Sequence, residues 1–242
     1  MSTLAHTRSA ARASAFVVGV ASSTCLARLA RLLPVLVVAL VGAFGLTGCE
    51  QSMIARSSEA AAVLREFQTG DNQIPRDTLA QAQAIAILRE TEAGVVVAGG
   101  GGKGVMVRRT QRGWSAPVAL DSSTGSIGAQ IGGQGRDIVM IFRNEMDIAK
   151  VLRQDGYAIA DASATAGPAN SAATSDNNTV LTYAKVAGLF AGARVGGVDF
   201  RINNQVNHET YGYQWSAEDI LAGKVERPLG AGEIYTVLPP PK

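Results

Sequence analysis

The spacing of apolar residues predicts two helices early in the chain. Residues 59–68 carry apolar side chains at three- and four-residue intervals, which places them on one face of a helix. Pro75 suits the first turn of a second helix, over residues 76–90, whose apolar stripe has the same period. The second helix is expected in the core, whereas the first either packs there or faces a membrane. The polar residues 50–58 before both helices are predicted to form a tether.

From residue 95 onward, the pattern changes to one that is typical of strands. β-Branched and aromatic residues alternate with small or polar ones, and glycine recurs every few positions. Strands this closely spaced favour an α+β fold, with an antiparallel sheet or a barrel-like core, over a doubly wound α/β fold. The predicted strands cover residues 95–98, 104–110, 114–120, 126–132, 137–142, 158–165, 180–187, 189–195 and 198–203.

Two capping signals predict short helices within or after the strands. Asn144 with Asp147 three residues later resembles a capping box, and apolar residues follow it at helical spacing. This pair predicts one helix inserted between strands. Ser216 with Asp219 has the same spacing and predicts a second short helix near the end of the chain.

Three further segments are predicted to connect or end these elements. Residues 111–113 suit a short hairpin connection, in which Gly113 is free to adopt a positive φ. Residues 167–178 are rich in Ala, Ser, Asn and Asp and are predicted to form an exposed loop. The tail after Leu229 contains Gly, Pro and Lys and is expected to be extended.

Residues 1–48 have the composition of a secretion leader. They contain basic but no acidic residues, and an apolar run over residues 32–46 follows the basic ones. This run is shorter than the roughly 20 residues that a membrane-spanning helix needs. Leu46-Thr47-Gly48-Cys49 at its end resembles the bacterial lipobox, in which the cysteine becomes the first mature residue and is acylated. The resemblance implies a lipoprotein anchored at Cys49; the alternatives are an uncleaved anchor and an ordinary signal peptide.

Removal of this leader would change the charge and the thiol content of the chain. Residues 1–48 hold four of the 22 Lys and Arg and none of the 20 Asp and Glu, so the formal charge falls from +2 to about −2. No basic block with interleaved aromatics remains, which argues against nucleic acid as a partner. Cys25 and Cys49 are the two cysteines, so the mature chain has no intrachain disulfide. Residues 59–242 have a suitable length for a single domain.

The residues that remain offer little catalytic or metal-binding chemistry. His208 is the one histidine after the leader, and it lies in a polar stretch where a surface or hydrogen-bonding role is expected. No Cys/His metal cluster and no independent Ser/His/Asp triad can be assembled from such a set. The sequence therefore predicts a protein that is not an enzyme and that has no metal site and no cofactor.

The glycine-rich residues 99–104 match the spacing G-x-G-x-x-G but lack its context. A dinucleotide fingerprint precedes a helix, whereas residues 105–107 are Val-Met-Val and predict a strand. The phosphate-loop pattern fails as well, because Gly104 stands where Ser or Thr should bind magnesium. Two interpretations remain: a tight glycine connection between strands, and a nest of backbone amides that binds a phosphate beside Lys103.

Residues 84–212 resemble the SYLF domain, also called the Ysc-type actin-regulator or lipid-binding domain. The similarity rests on ordered blocks rather than on one motif. They are Ala-Ile-Ala-Ile at 84–87 in the second predicted helix, Ala-Gly-Val at 93–95, Gly-Lys-Gly-Val at 102–105, Gly-Trp-Ser-Ala-Pro at 113–117, Gly-Ala-Gln-Ile-Gly at 128–132, Asp-Ile-Val-Met-Ile at 137–141, Tyr-Ala-Lys at 183–185 and Gly-Leu-Phe-Ala-Gly at 188–192.

The resemblance implies binding of anionic phospholipids, with phosphoinositides and phosphatidic acid as ligands of eukaryotic members, and actin organisation in some of them. For an envelope lipoprotein, actin is an unlikely partner, and phosphatidylglycerol, cardiolipin or phosphatidic acid is expected in place of phosphoinositides. Because phosphate binds to cations, Lys103, Arg108, Arg109 and Lys185 are the candidate headgroup contacts. The alternative is that these four are solvated charges at strand ends.

The expected location is the cell envelope. Glu50 follows the predicted lipidation site, whereas the general lipoprotein sorting pattern has Asp there for retention in the inner membrane. We therefore expect the outer membrane, with the domain facing the periplasm. The alternative function is that of a non-catalytic structural or assembly lipoprotein that binds an envelope protein.

Overall fold

Two helices, α1 (Met53–Thr69) and α2 (Arg76–Gln81), precede the sheet in the computed structural model. The structure describes residues 51–69, 73–154, 156–166, 169–174 and 180–240, so the predicted leader and Cys49 lie outside the described residues. Helix α1 begins at Met53, within the predicted tether. Its apolar stripe is buried in the core, as the first of the two alternatives for this helix expected; the stripe consists of Ala60, Val63, Leu64 and Phe67.

The predicted second helix is wrong beyond residue 81, because the chain enters strand β1 (Ala84–Thr110) at Ala84. The side chains of Ala84 to Leu88 are all buried and alternate between two hydrophobic cores, with Ile85 and Ile87 in one of them. A strand that is buried on both faces has no polar positions to reveal its period of two. The apolar residues 84–88 are therefore also compatible with the apolar stripe of a helix, which is why the sequence predicted one.

Five further strands follow β1 in the described residues: β2 (Gly113–Trp114), β3 (Val118–Phe142), β4 (Gly156–Ala166), β5 (Ala169–Thr174) and β6 (Val180–Ile202). The six strands form one sheet in the order β2-β1-β3-β6-β4, with β5 also paired to β6, and each of these pairings is antiparallel. The strand path is open, so the α+β prediction is confirmed as a sheet rather than as a closed barrel.

Most of the predicted strands are pieces of three long strands, β1, β3 and β6. Glycines interrupt the apolar alternation along each of them, but the ladder continues through the glycines, as in the pairs between Gly99 and Gly125 and between Gly125 and Gly197. Glycine removes a side chain from a strand without removing its hydrogen bonds. The sequence pattern therefore predicted breaks where the backbone has none.

Strand β1 doubles back on itself near Val96, which has a φ of 65°. Beyond this point its second half lies against its first half. A Cβ added to Gly104 would stand 1.9 Å from the Ile87 oxygen, one on Gly102 would stand 2.2 Å from the Arg89 oxygen, and one on Gly100 would stand 1.9 Å from the Thr91 oxygen. Only glycine allows two backbones to approach this closely.

Two hydrophobic cores lie on opposite faces of the strands. One contains α1, alternate residues of β1 and β3 such as Val105 and Val139, and the C-terminal residues Ile234 and Leu238. The other contains the residues between these, such as Met106 and Met140, together with helices α3 (Glu145–Arg153) and α5 (Ala217–Leu221).

Both capping signals are confirmed. The Asn144 side chain accepts a hydrogen bond from the backbone amide of Asp147 at the start of α3. Ser216 and Asp219 form a reciprocal capping box at the start of α5. Hydrogen bonds from the Lys224 ammonium and from Ser216 lower the pKa of Asp219 to about 2. A further helix that the sequence analysis did not predict, α4 (Asn204–Tyr211), lies between β6 and α5.

The predicted connections are partly correct. Gly113 has a φ of 105° in the short hairpin between β1 and β2, as expected. Strand β5 occupies the middle of the predicted loop 167–178, and the rest of that loop lies outside the described residues. The tail is not extended, since it forms a 3₁₀ helix at Ala231–Thr236. Burial of Ile234 and Leu238 against α1 explains this difference.

Residues 50–242 form one compact unit that contains both cores and all of the described contacts. A chain that begins at Glu50 therefore keeps the whole described structure. Within the part of the chain that the structure describes, no helix has the length and apolar character needed to cross a membrane.

We expect Val96→Gly to stabilise the fold. A β-branched residue with positive φ costs about 1–3 kcal/mol, whereas glycine in a strand costs about 0.5–1 kcal/mol through lost chain entropy. The free energy of unfolding in urea should rise by about 1 kcal/mol. Val97→Gly is the matched control and should lower it, since Val97 has no positive φ. Equal losses in both variants would contradict the strain at Val96.

Candidate functional site

The four predicted headgroup residues do not converge on one site. Lys103, Arg109 and Lys185 lie on the face of the sheet that α1 covers. Lys103 lines a cleft on this face, Arg109 stacks on the ring of Trp114, and Lys185 contacts the ring of Phe67 in α1. Arg108 lies on the opposite face, where α3 packs. The structure brings cations to both faces of the sheet, and Lys103 lines an open cleft.

Arg108 forms an ion pair with the first residue of α3. Its Nη2 atom lies 2.6 Å from the Glu145 carboxylate, and the Glu145 side chain is more than half exposed. A pair in contact with water adds at most about 1 kcal/mol to stability. The guanidinium is thus already neutralised by a partner of this chain.

Arg109 joins the end of β1 to the C-terminal tail. Its guanidinium lies 4.5 Å from the centroid of the Trp114 ring, and it donates hydrogen bonds to the carbonyl oxygens of Ala82 (3.1 Å) and Pro240 (3.0 Å). Desolvation by burial lowers the pKa of Arg109. The Trp114 indole N–H donates to the Pro239 oxygen at 2.8 Å, so Arg109 and Trp114 together fix the tail to the end of the sheet.

Lys185 contacts helix α1. Its ammonium donates a hydrogen bond to the carbonyl oxygen of Glu66 and lies 4.7 Å from the centroid of the Phe67 ring. A carbonyl near the end of a helix has no partner within the helix, and a lysine is well suited to satisfy it. Lys185 therefore stabilises the packing of α1 on the sheet.

Lys103 lines an open cleft of about 530 Å³ between the start of α1 and the paired strands β1 and β3. The lining includes two cations, Arg89 and Lys103, and two carboxylates, Glu59 and Asp121. Lys103 stands directly opposite Asp121 in the ladder. The cleft therefore contains balanced charges, and its cations lie beside the start of α1 rather than within an apolar pocket.

The neighbours of the cleft hold its charged groups in place. Arg89 forms two hydrogen bonds to Asp137, at 2.8 and 2.9 Å, and these bonds raise the pKa of Arg89 above its usual value. Asp121 accepts from the buried Arg56 at 2.7 Å and from Asn203 at 2.6 Å. The arrangement can present cationic N–H groups to a phosphate, with neighbouring carboxylates that limit its overall affinity for anions.

The glycine-rich residues do not form a phosphate nest. Gly99 to Gly104 lie in β1 and pair with residues 120–125 of β3. A nest needs successive amides that point to one side, and a paired strand points them alternately to its two neighbours. Both earlier interpretations of this segment, the nest and the tight connection, are therefore wrong. Lys103 keeps its place beside the cleft without help from backbone amides.

Among the described residues, no group of three or more His, Cys, Asp or Glu side chains is arranged to hold a metal ion. The ring of His208 lies 4.7 Å from that of Tyr213. Sequence reasoning missed Arg89, because it placed this residue in a helix. It also missed the exposed valines at positions 95–97, although three consecutive valines beside glycines gave a visible signal.

The ordered sequence blocks indicate a SYLF-type domain, and comparison with known families agrees. Residues 123–239 match the family model described as Ysc84, Las17-binding protein actin regulator. The chain therefore belongs to the Ysc84 (SYLF) domain family. No solved structure matches this chain.

Its curated relatives carry names from the same family. LAS seventeen-binding protein 3 of Saccharomyces cerevisiae is 31% identical over 204 residues, which cover 78% of this chain and 44% of the relative. SH3 domain-containing YSC84-like protein 1 is 31% identical in Xenopus laevis, with 76% and 59% covered, and 30% identical in Homo sapiens, with 76% and 58% covered. The chain spans about half the length of these relatives.

We expect Arg109→Ala to lower stability rather than to act on lipid alone. The change removes the hydrogen bonds that Arg109 donates to the carbonyl oxygens of the buried Ala82 and of Pro240. It also removes the stacking on Trp114. The free energy of unfolding in urea should fall by about 1–3 kcal/mol. Arg112→Ala, at an exposed turn residue, is the control and should stay within about 0.5 kcal/mol. Unchanged stability with reduced vesicle binding would instead identify Arg109 as a headgroup contact.

Proposed function

We propose that this protein is a membrane-anchored lipoprotein whose Ysc84 domain binds anionic phospholipids without catalysing a reaction. Cys49 carries the anchor, and the domain faces the periplasm from the outer membrane. The domain contributes a membrane contact of its own in addition to the acyl chains. A headgroup phosphate of phosphatidylglycerol, cardiolipin or phosphatidic acid is the expected ligand.

The observation that carries this proposal is the position of Lys103. It lines the open cleft together with Arg89, and it directly follows the uncharged residues 93–102 of β1. A phosphate needs a cation, and the acyl region beside it needs a surface without charge. Arg108, Arg109 and Lys185 hold parts of the fold together, whereas Lys103 lines the open cleft, so Lys103 is the first headgroup residue to test.

A protein partner is the second candidate function. The family model is described as a Las17-binding actin regulator, and relatives are named for binding that protein. For this chain, an envelope protein or an actin-related protein would replace the lipid as ligand. The charge balance of the cleft is compatible with this candidate, because paired acids and bases also suit a polar protein interface.

Vesicle flotation of a chain that begins at Glu50 tests the lipid function, since this chain has no acylation site. The wild type should float with vesicles that contain phosphatidylglycerol and much less with phosphatidylcholine alone. Lys103→Ala should weaken binding to the anionic vesicles by about fivefold, because one lysine near an anionic surface contributes about 1 kcal/mol. Added salt should weaken wild-type binding in the same direction.

Lys150→Ala is the matched control for that experiment. Lys150 lies on α3, on the opposite face of the sheet, and pairs with Asp147 at 2.9 Å. Its loss removes the same charge and should change binding by less than twofold. Equal flotation with both kinds of vesicle, or flotation with neither, would exclude headgroup recognition. A stoichiometric complex with one purified envelope protein would favour the second candidate.

Labelling with radioactive palmitate tests the anchor separately. The full chain produced in a diderm bacterium should incorporate label and fractionate with the outer membrane. Cys49→Ala should abolish the label, whereas Cys25→Ala should retain it, since Cys25 belongs to the predicted leader. Label that survives in Cys49→Ala, or no label in the wild type, would overturn the lipoprotein assignment.

A further inference from the structure

Four large aliphatic side chains stand in solvent where β1 doubles back. Val95 is 63% exposed, Val96 57%, Val97 62% and Ile127 68%. We call these four residues the apolar crest. Single exposed aliphatic residues are common on protein surfaces, but a contiguous group of this kind marks a surface that contacts another apolar phase.

The ladder between β1 and β3 holds the crest together. Val97 pairs directly with Ile127, and Val95 pairs with Ile131, on either side of a register shift in β1. Directly paired residues have Cβ atoms about 5 Å apart. The crest is therefore one surface on two paired strands rather than a set of separate side chains.

Three neighbouring strand segments at the bend contain no charged residue, although charges flank them: Arg194 pairs with Gly128, and Glu92 accepts a hydrogen bond from Ser126. Residues 93–102, 122–135 and 186–193 contain no Asp, Glu, Lys or Arg. The register aligns the three segments side by side, since Gly94 pairs with Gly132 and Gly132 pairs with Phe190. Aligned strand segments without charged residues are suited to a low-dielectric environment.

On the side that faces β3, the backbone of β1 at the crest is paired within the protein, except at Val96. β1 pairs with β3 on both sides of the register shift, and β3 pairs with β6 through the whole region. Backbone groups that are bonded within the protein do not need water when they enter an apolar phase. A protein interface would typically surround such an apolar centre with a polar rim that supplies hydrogen bonds.

The conformation of Val96 gives a separate indication of function. It is a β-branched residue with a φ of 65°, whereas the other described residues with positive φ are glycines. A strained residue that is more than half exposed gains nothing from packing in the folded protein. Strain of this kind is found where a side chain serves a functional contact.

We propose that the apolar crest inserts into the acyl region of a phospholipid bilayer. This inference rests on the proposed lipid-binding function and adds a second point of contact to Lys103. Six residues of extended strand, from Val97 to Lys103, span about 20 Å. β1 therefore lies obliquely on the bilayer, so that Lys103 reaches the phosphates while the crest enters the acyl region.

A fluorescent label on the crest tests the insertion directly. A chain that begins at Glu50 contains no cysteine, so Val97→Cys gives a single site for the environment-sensitive dye NBD. With vesicles of phosphatidylglycerol and phosphatidylcholine, the emission should shift to the blue, and lipids spin-labelled on the acyl chain should quench it. Leu229→Cys is the matched control, because Leu229 is 95% exposed at a turn outside the crest and should stay accessible to aqueous iodide.

Charge substitutions test whether the crest contributes to affinity. Val97→Asp and Ile127→Asp should each weaken binding to the anionic vesicles by at least about tenfold, because a carboxylate resists entry into the acyl region. Leu229→Asp should change binding by less than twofold. Thermal melting should show that all three variants fold, since none of the three side chains is buried.

The outcomes separate this inference from the proposed function. If the wild type binds anionic vesicles and depends on Lys103, but the label at position 97 stays accessible to iodide, the crest does not insert and the lipid function stands. If the wild type binds no vesicle, both fail together. If the wild type is a dimer in solution and Val97→Asp makes it a monomer without changing vesicle binding, the crest is an interface between copies and the inference is wrong.

Discussion

The close approach of the two halves of β1 is the constraint on which the described structure depends. Gly100, Gly102 and Gly104 leave space for the backbone around Thr91, Arg89 and Ile87, and any Cβ at these positions would overlap backbone atoms. A flexible side chain can move away from such a clash, but a paired strand cannot. The strand can therefore double back only with glycine at alternate positions. The folded-back strand in turn sets the course of β3, which pairs along its length, and β3 sets that of β6.

This constraint also determines where polar and apolar surfaces occur. The fold in β1 brings Arg89 and Lys103 to one cleft, although they are far apart in the strand. It also places Val96 at the outer side of the bend, where its side chain has no core to enter. The cleft and the apolar crest are thus two consequences of one backbone arrangement, and a change in the glycines would alter both together.

The parts of the fold that depend on local chemistry could be predicted from the sequence. The stripe of α1, the caps at Asn144 and Ser216, and the positive φ of Gly113 each involve residues a few positions apart. The strand that begins at Ala84 could not be predicted, because its burial on both faces removes the alternating pattern. The continuity of β1 through its glycines depends on contacts with β3, which the local sequence does not reveal.

The candidate site was predictable only in part, for the same reason. Lys103 was recognised as a cation after a glycine-rich run, and it does line a cleft. Its partner Arg89 depends on the fold of β1, and the structural roles of Arg109 and Lys185 depend on the C-terminal tail and on α1. A basic residue near a strand end looks the same in sequence whether it binds a carbonyl of its own chain or an outside ligand.

The length of the three paired strands has a consequence for how this chain reaches its structure. Ala84 pairs with Phe142 and Leu120 pairs with Ile202, so much of each ladder joins residues that are far apart in the chain. Chains dominated by such distant pairings fold slowly, because loop entropy is lost before the contacts form. Until β6 is in place, β3 has an unpaired edge that another copy of the chain can join. Dilute conditions and slow removal of denaturant should therefore favour recovery of the monomer over aggregates.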